Sequence, residues 1–133
     1  MIISSIVCDL FQVFAVKSGQ SDHDILTLFQ NLQPDNSRDS NAITSAMARL
    51  KKLAHKPDSL PSSICHNLSR DIWQLRSDTY RILWFYDKGR VIVCTHFFVK
   101  KSRKTPQEEI KRANLLREEY FKAKSEGTLK IIE

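Results

Sequence analysis

Three strand-like segments follow one another closely between residues 71 and 100. They cover residues 71–78, 80–87 and 90–100, and each is rich in β-branched and aromatic side chains. The connections between them are short, and Gly89 can supply the positive φ that a tight turn demands. Connections of this length join antiparallel neighbours. This part of the chain therefore predicts a three-stranded antiparallel meander.

Amphipathic helices are predicted on both sides of the meander. Upstream, residues 25–32 and 39–55 carry apolar side chains at helical spacing, and Pro34 ends the first of these runs. Downstream, residues 105–108 (Thr-Pro-Gln-Glu) have the pattern of a capping box with proline at the first helical position. The helix that they open is predicted to end at Gly127.

The remaining segments complete an α+β fold. Residues 5–16 predict one further strand, and residues 56–69 predict a loop. The tail, residues 128–133, is interpreted either as a short edge strand or as disordered. The predicted order is β-α-α-β-β-β-α, a small antiparallel meander sheet with an N-terminal helical hairpin and a C-terminal helix. A chain of 133 residues suits one domain, so residues 1–133 are predicted to form a single one.

Positive charge is concentrated in the second half of the chain. The formal net charge is +6: residues 1–66 hold six Lys/Arg and six Asp/Glu, and residues 67–133 hold 15 and nine. Four of the five residues 100–104 are cations, between a predicted strand and a predicted helix. Such asymmetry favours an anionic partner, most commonly nucleic acid, and the alternative is a solvated basic surface without a partner.

Several functional classes are excluded by composition. The three cysteines show no C-x-x-C spacing and no pair of histidines has metal-ligand spacing, so neither a disulfide framework, a metal site nor a cofactor is predicted. The N-terminus lacks a basic region of the signal-peptide type, and no apolar run approaches a membrane span, so a cytoplasmic protein without membrane contact is predicted. An enzyme built from these residues would act through positive charge rather than a strong base.

Strand pairing suggests where these charges meet. If Lys88 and Gly89 form a two-residue loop, Arg81 pairs with His96, and Lys100 lies on the same face. A slip of one residue would reverse the faces. Together with residues 100–104 near a helix N-terminus, these side chains would form a phosphate-binding cleft.

Two segments resemble toxins of bacterial toxin–antitoxin systems. Residues 72–87 resemble the W-x-L-R … Y-R-I-L segment of the RelE/ParE superfamily. Residues 96–113 resemble the H-x-F-x-K-K-x-x-K-T-P-x-x-E-I-x-x-A segment of its HigB-like branch. The chain departs from some RelE-type members at Ile72 and Gln74, where those members carry lysines, and a HigB-like branch assignment accommodates this difference.

The resemblance implies a RelE-like fold with an open basic cleft, and a type II toxin that acts as an mRNA interferase. The implied partners are mRNA, the ribosome at the 30S A site and a helix-turn-helix antitoxin. The implied reaction is metal-independent attack of an RNA 2′-hydroxyl on its own 3′-phosphate. In this reaction Arg81 would contact the scissile phosphate, Lys100 and Lys101 would act beside it, and His96 could transfer protons. The residues that would hold the RNA backbone are Arg76, Arg103 and Lys104.

Two other functions fit the same pattern. A ParE-like toxin would use the basic loop to bind and inhibit DNA gyrase without cutting RNA. A non-catalytic nucleic-acid-binding module would bind with a steep salt dependence and leave RNA intact. Cleavage of RNA distinguishes an mRNA interferase from both of these alternatives.

Overall fold

The computed structural model of the protein describes residues 1–19, 21–33 and 35–133. It contains a mixed sheet of seven strands with three α-helices packed against it. Pro34, predicted to end the first helix, lies outside the described residues. The helices are α1 (Ile25–Gln30), α2 (Arg38–His55) and α3 (Gln107–Glu126). The strands are β1 (Ile2–Cys8), β2 (Gln12–Lys17), β3 (Cys65–Ser69), β4 (Ile72–Ser77), β5 (Tyr80–Asp87), β6 (Val91–Val99) and β7 (Lys130–Ile132).

The strand order across the sheet is β3-β4-β5-β6-β2-β1-β7. The pairs β2–β6 and β1–β7 are parallel, and the other neighbours are antiparallel. The α+β class is confirmed, and the predicted meander is present as β4–β5–β6. The predicted small sheet is wrong, because four further strands extend the meander on both sides.

Three differences account for the larger sheet. Residues 5–16 form parts of two strands, β1 and β2, because the chain reverses between Cys8 and Gln12 and pairs with itself. The predicted loop 56–69 contains β3, which pairs with β4. The tail forms β7, which lies parallel to β1 at the edge of the sheet. The observed order of strands and helices is therefore β-β-α-α-β-β-β-β-α-β.

Helix α2 covers one face of the sheet. The Ser37 side chain accepts a hydrogen bond from the Ser40 backbone N–H and so caps a helix end that would otherwise leave donors unpaired. Ala46, Leu50 and Leu53 recur at helical spacing and are fully or almost fully buried against the sheet. Burial of these side chains fixes the position of the α2 N-terminus relative to β4 and β5.

Helix α3 covers the opposite face, where Leu83 and Phe85 of β5 pack beneath Ala113 and Tyr120. It ends at Gly127, whose φ of +74° is the left-handed conformation that glycine adopts without strain. No described helix is long and apolar enough to cross a membrane.

The predicted capping box at the start of α3 is wrong. Helix α3 begins at Gln107 after Pro106, and no side-chain hydrogen bond caps it. The Thr105 hydroxyl instead donates to the Gln74 side-chain oxygen of β4, at 2.8 Å. Because Gln74 is buried, this bond ties the basic loop (residues 100–106) to the face of the sheet that α3 covers.

Candidate nucleic-acid interface

The register of β4, β5 and β6 decides which basic side chains meet. Arg76 of β4 pairs with Arg81 of β5, which pairs in turn with Phe98 of β6. His96 pairs with Leu83, one row further along the same face. The predicted direct pairing of Arg81 with His96 is therefore wrong.

Two local features shift this register. The β5–β6 turn holds three residues, because Asp87 pairs with Val91, and Arg90 takes a φ of +60° in it. Further along, Thr95 is an extra residue in β6 and forms a bulge. Each feature shifts the pairing by one residue, so the partner of Arg81 moves by two. A shift of two keeps the face, so Arg81 and His96 still lie on the same side of the sheet.

An open cleft of about 660 Å³ lies at the end of this face. Its walls come from the β4–β5 turn, the basic loop and the first turn of α2. Asp78 is the one carboxylate among the described residues that line it. The cations that line it are Arg38, Arg76, Arg81, Lys100, Lys101 and Arg103. This arrangement places strong positive potential in a concave surface, which is suited to a chain of phosphates.

Arg81 is the most enclosed of these cations, with 6% of its surface exposed. One terminal nitrogen donates to the backbone carbonyls of Asp78 and Tyr80, at 2.5 and 2.9 Å. Its Nε is buried, and no described residue offers an acceptor to it. Burial and the neighbouring Arg76 lower the pKa of Arg81, although a guanidinium stays charged. An anion would supply the missing acceptor for Nε and would offset the repulsion between Arg81 and Arg76.

Four further cleft cations are also without carboxylate partners, and only Arg38 among the described cations of the cleft is paired, with Asp78. No Asp or Glu oxygen of the described residues lies within 4.0 Å of Arg76, Lys100, Lys101 or Arg103. Burial, then Arg81 and Arg76, lowers the pKa of Lys100. The Lys100 backbone N–H donates to the Thr79 carbonyl at 2.7 Å, which holds the start of the basic loop against the β4–β5 turn.

Arg38 is a cleft residue that sequence reasoning missed. It opens α2, and its guanidinium binds the Asp78 carboxylate through two hydrogen bonds of 2.6 and 2.8 Å. The two residues are 40 positions apart, and no local pattern connects them. Only the packing of α2 against the sheet brings them together.

His96 lies in a different environment, with 2% of its surface exposed. Its Nδ1 is 3.0 Å from Thr95 Oγ1, and its Nε2 has no hydrogen-bond partner among the described residues. Burial, then Arg112 and His23, lowers the His96 pKa to about 3. The imidazole is therefore neutral near pH 7, and its 3.7 Å separation from Glu109 is not an ion pair. The cavity beside it measures about 150 Å³ and is lined by Ser18, His23, Asp24, Thr95, His96, Arg112 and Leu116.

Five of the seven predicted site residues thus line one cleft, and two do not. His96 lines the separate cavity under α3. Lys104 is exposed in the basic loop, outside the cleft lining. The five residues that meet are Arg76, Arg81, Lys100, Lys101 and Arg103.

The fold and the cleft together define a small basic α+β protein with an open cleft lined by six cations and one carboxylate among its described residues. The chain belongs to the phage-derived protein Gp49-like family (DUF891), which it matches over residues 31–118, about two thirds of its length. That segment contains every cation of the cleft. The family is one of RelE/HigB-like toxins of toxin–antitoxin systems, which implies an antitoxin partner. No curated protein matches the chain.

Proposed function

We propose that this protein is a RelE-like toxin of the HigB branch, a cytoplasmic endoribonuclease that cuts mRNA on the translating ribosome, at the 30S A site. The observation that carries the proposal is the cleft around Arg81. It holds five cations without carboxylate partners among the described residues, and one of them, Arg81, has a buried Nε–H without an acceptor. A phosphodiester supplies both the charge and the acceptor that this arrangement lacks.

The proposed reaction is transesterification within the RNA. The 2′-oxygen forms a bond to the adjacent phosphorus while the bond from phosphorus to the 5′-oxygen breaks. The 2′-hydroxyl loses its proton, and the departing 5′-oxygen gains one. The products are a 2′,3′-cyclic phosphate and a 5′-hydroxyl. No metal is required, because the cations of the cleft would stabilise the charge that develops on the phosphate.

Arg81 would clamp the scissile phosphate. Its side chain is already held by two backbone carbonyls, so binding costs little additional side-chain ordering. Lys100 and Lys101 would bind the same phosphate or its neighbour. Arg76, Arg103 and Lys104 would hold the flanking backbone of mRNA or ribosomal RNA, and these contacts would weaken with salt.

Proton transfer by His96 stays a prediction. A general base must come within about 3 Å of the proton it takes, or act through one water. The His96 imidazole is buried one strand row from Arg81, so the cavity would have to open for this role. A neutral imidazole with a free Nε2 is nevertheless a competent base once it is exposed.

The antitoxin is proposed to be a helix-turn-helix protein. Since the toxin must be silenced in its host cell, the antitoxin would block the basic cleft or exclude the ribosome from it. Acidic side chains on the antitoxin would complement the cations around Arg81.

Mapping of new RNA 5′ ends tests the proposal. The wild-type chain, Arg81→Ala and Lys51→Ala are expressed in bacteria from a tightly regulated promoter, and 5′ ends are mapped minutes after induction. Lys51 is an exposed cation of α2 outside the cleft and serves as the control. We expect new ends inside open reading frames with wild type and Lys51→Ala, and none with Arg81→Ala.

Other outcomes would overturn the proposal. Growth arrest without new RNA ends would point to a ParE-like inhibitor of gyrase. Neither arrest nor cleavage would leave a non-catalytic nucleic-acid-binding module. The reading frame of the cuts would report whether the ribosome is required.

A further inference from the structure

A second groove adjoins the cleft on the side of α2. It measures about 510 Å³, and its lining includes Asn36, Arg38, Asn41, Ser45, Arg49 and Asp78. We call it the α2 groove. Arg38 and Asp78 line both the α2 groove and the cleft. The two concavities are therefore parts of one track, and the Arg38–Asp78 ion pair lies at their boundary.

The chemistry of the α2 groove matches that of a nucleotide. Two guanidinium groups, from Arg38 and Arg49, can bind phosphate oxygens. Two asparagine side chains and a serine hydroxyl provide both donors and acceptors for sugar hydroxyls or base edges. Asp78 is the one carboxylate among the described residues that line the groove, and its carboxylate is already paired with the Arg38 guanidinium.

Arg49 is positioned at the border with the cleft. Its Nη1 donates to the backbone carbonyl of Arg76, the residue that pairs with Arg81. A guanidinium carries five N–H donors, so this bond leaves most of its donors for a ligand. The guanidinium of Arg49 therefore lies beside a residue that lines the cleft, one strand away from the Arg81 backbone.

The ion pair at the boundary can open at small cost. The Arg38 side chain is 79% exposed, and exposed ion pairs contribute little because water screens them and the two side chains lose conformational freedom when they pair. A carboxylate and a phosphate offer the same bidentate arrangement of oxygens to a guanidinium. A phosphate that enters the track can therefore replace Asp78 as the partner of Arg38.

We propose that the α2 groove binds the nucleotide next to the one held at Arg81, that Arg38 exchanges Asp78 for an RNA phosphate, and that Arg49 holds the following phosphate. This inference rests on the proposed function, and it adds to that function a subsite and two phosphate-binding residues. In the free protein, the Asp78 carboxylate binds the Arg38 guanidinium at the position that the RNA phosphate would take.

The test measures the affinity of the full-length protein for 2′-O-methyl oligouridylates as a function of salt. These probes lack the attacking 2′-hydroxyl, so they bind without being cut. A dinucleotide reports on the cleft, and a hexanucleotide reports on the cleft and the α2 groove together. The variants are Arg49→Gln, Asp78→Asn, the double variant Arg38→Gln/Asp78→Asn, and the control Lys51→Gln. Asparagine tolerates the φ of +53° at position 78, so the turn is preserved.

We expect Arg49→Gln to weaken binding of the hexanucleotide alone, and to reduce the slope of log affinity against log salt by about 0.7. Lys51→Gln should bind both probes as wild type does. Asp78→Asn should bind the hexanucleotide about 1.5- to 5-fold more tightly, because no carboxylate competes for Arg38. The double variant should lose that gain.

Three outcomes would overturn the inference. If Arg49→Gln equals Lys51→Gln while Arg81→Ala loses binding, the α2 groove is not a subsite, and the proposed function stands. If Asp78→Asn binds no more tightly than wild type, the exchange at Arg38 does not occur. If the wild type binds an oligoglutamate peptide and neither RNA probe, the track receives an acidic protein segment and the proposed function fails as well.

Discussion

The basic cleft and the His96 cavity lie one strand row apart on the same face of the sheet. Their polar side chains nevertheless differ in exposure and in charge. In the open cleft, five of the six cations have no carboxylate partner among the described residues. In the cavity, a histidine is sealed under α3, and burial keeps it neutral. Helix α3 contributes Arg112 and Leu116 to the lining of the cavity and no described residue to the lining of the cleft, so the two regions differ in whether α3 covers them.

This difference separates two kinds of function. Unpaired cations in an open concavity stay available to a polyanion. A neutral imidazole can stabilise developing negative charge only through an N–H hydrogen bond, without a charge of its own, and the buried His96 meets substrate only if the cavity opens. In the proposed reaction, the cations of the cleft therefore stabilise the developing charge, and His96 has at most a secondary role.

The largest effect is expected at Arg81. Arg81→Ala should lower the rate of RNA cleavage about 10²–10³-fold, as loss of a preorganised donor to a developing anion does. Arg81→Lys should recover part of the rate, since it restores the charge without the planar fork. Single-turnover cleavage in a reconstituted translation reaction measures both. A rate for Arg81→Ala within threefold of wild type would remove the cleft from the mechanism.

The next effect concerns stability at low pH. The His96 pKa is about 3 in the folded protein, against an ordinary value of 6.5. Between these values the unfolded chain binds a proton that the folded protein does not, so stability is lost as the pH falls below 6.5. From pH 7 to about pH 5 we expect a loss of about 2 kcal/mol.

Denaturant titrations at the two pH values measure this loss of stability. In His96→Gln, the difference in stability between pH 7 and pH 5 should be smaller by about 2 kcal/mol. His55→Gln, which changes an exposed histidine, is the control. An identical pH dependence in wild type and His96→Gln would show that the imidazole is not sealed in the cavity.

A third prediction concerns the hydrogen bond between the two regions. Gln74 lies in the row of His96, and Thr105 belongs to the basic loop. Thr105→Val should destabilise the fold by about 1–3 kcal/mol, because a buried amide oxygen loses its donor. The double variant Gln74→Leu/Thr105→Val should recover stability, because neither partner is left unpaired. It should not recover the rate of cleavage, because the hydrogen bond that holds the basic loop against β4 is still missing. Recovery of both would show that the bond contributes only to stability.

The smallest effect is expected at Lys104. It lies in the same loop as Lys101 but outside the cleft lining. Lys101→Ala should reduce the salt slope of RNA binding by about 0.7, and Lys104→Ala should reduce it by less. Equal slopes for the two variants would mean that charge in the loop, rather than position in the cleft, controls binding.

Much of the scaffold follows from local pattern. The strands β4, β5 and β6 match the predicted segments to within a residue or two, because β-branched and aromatic runs with short turns leave few alternatives. Helix α2 matches equally well, since its apolar side chains repeat at the helical period. The turn between β1 and β2 contains neither glycine nor proline, and so the sequence offered no signal for it.

The arrangement of the candidate site depended on features that pattern does not encode. The pairing partner of Arg81 was set by a three-residue turn and by the Thr95 bulge, and both shift register without a sequence marker. Arg38 reached the cleft through tertiary packing alone. Thr105 had the spacing of a helix cap, but its hydroxyl binds Gln74 across the sheet instead.

The most direct test compares the cleavage rates of Arg81→Ala and His96→Gln in one reconstituted translation reaction at neutral pH, with identification of the product ends. We expect a 2′,3′-cyclic phosphate in the products, a loss of about 10²–10³-fold for Arg81→Ala, and a loss of less than about tenfold for His96→Gln. A His96→Gln variant that keeps the wild-type fold and is as slow as Arg81→Ala would contradict it. That result would place the chemistry at the buried cavity rather than at the cleft.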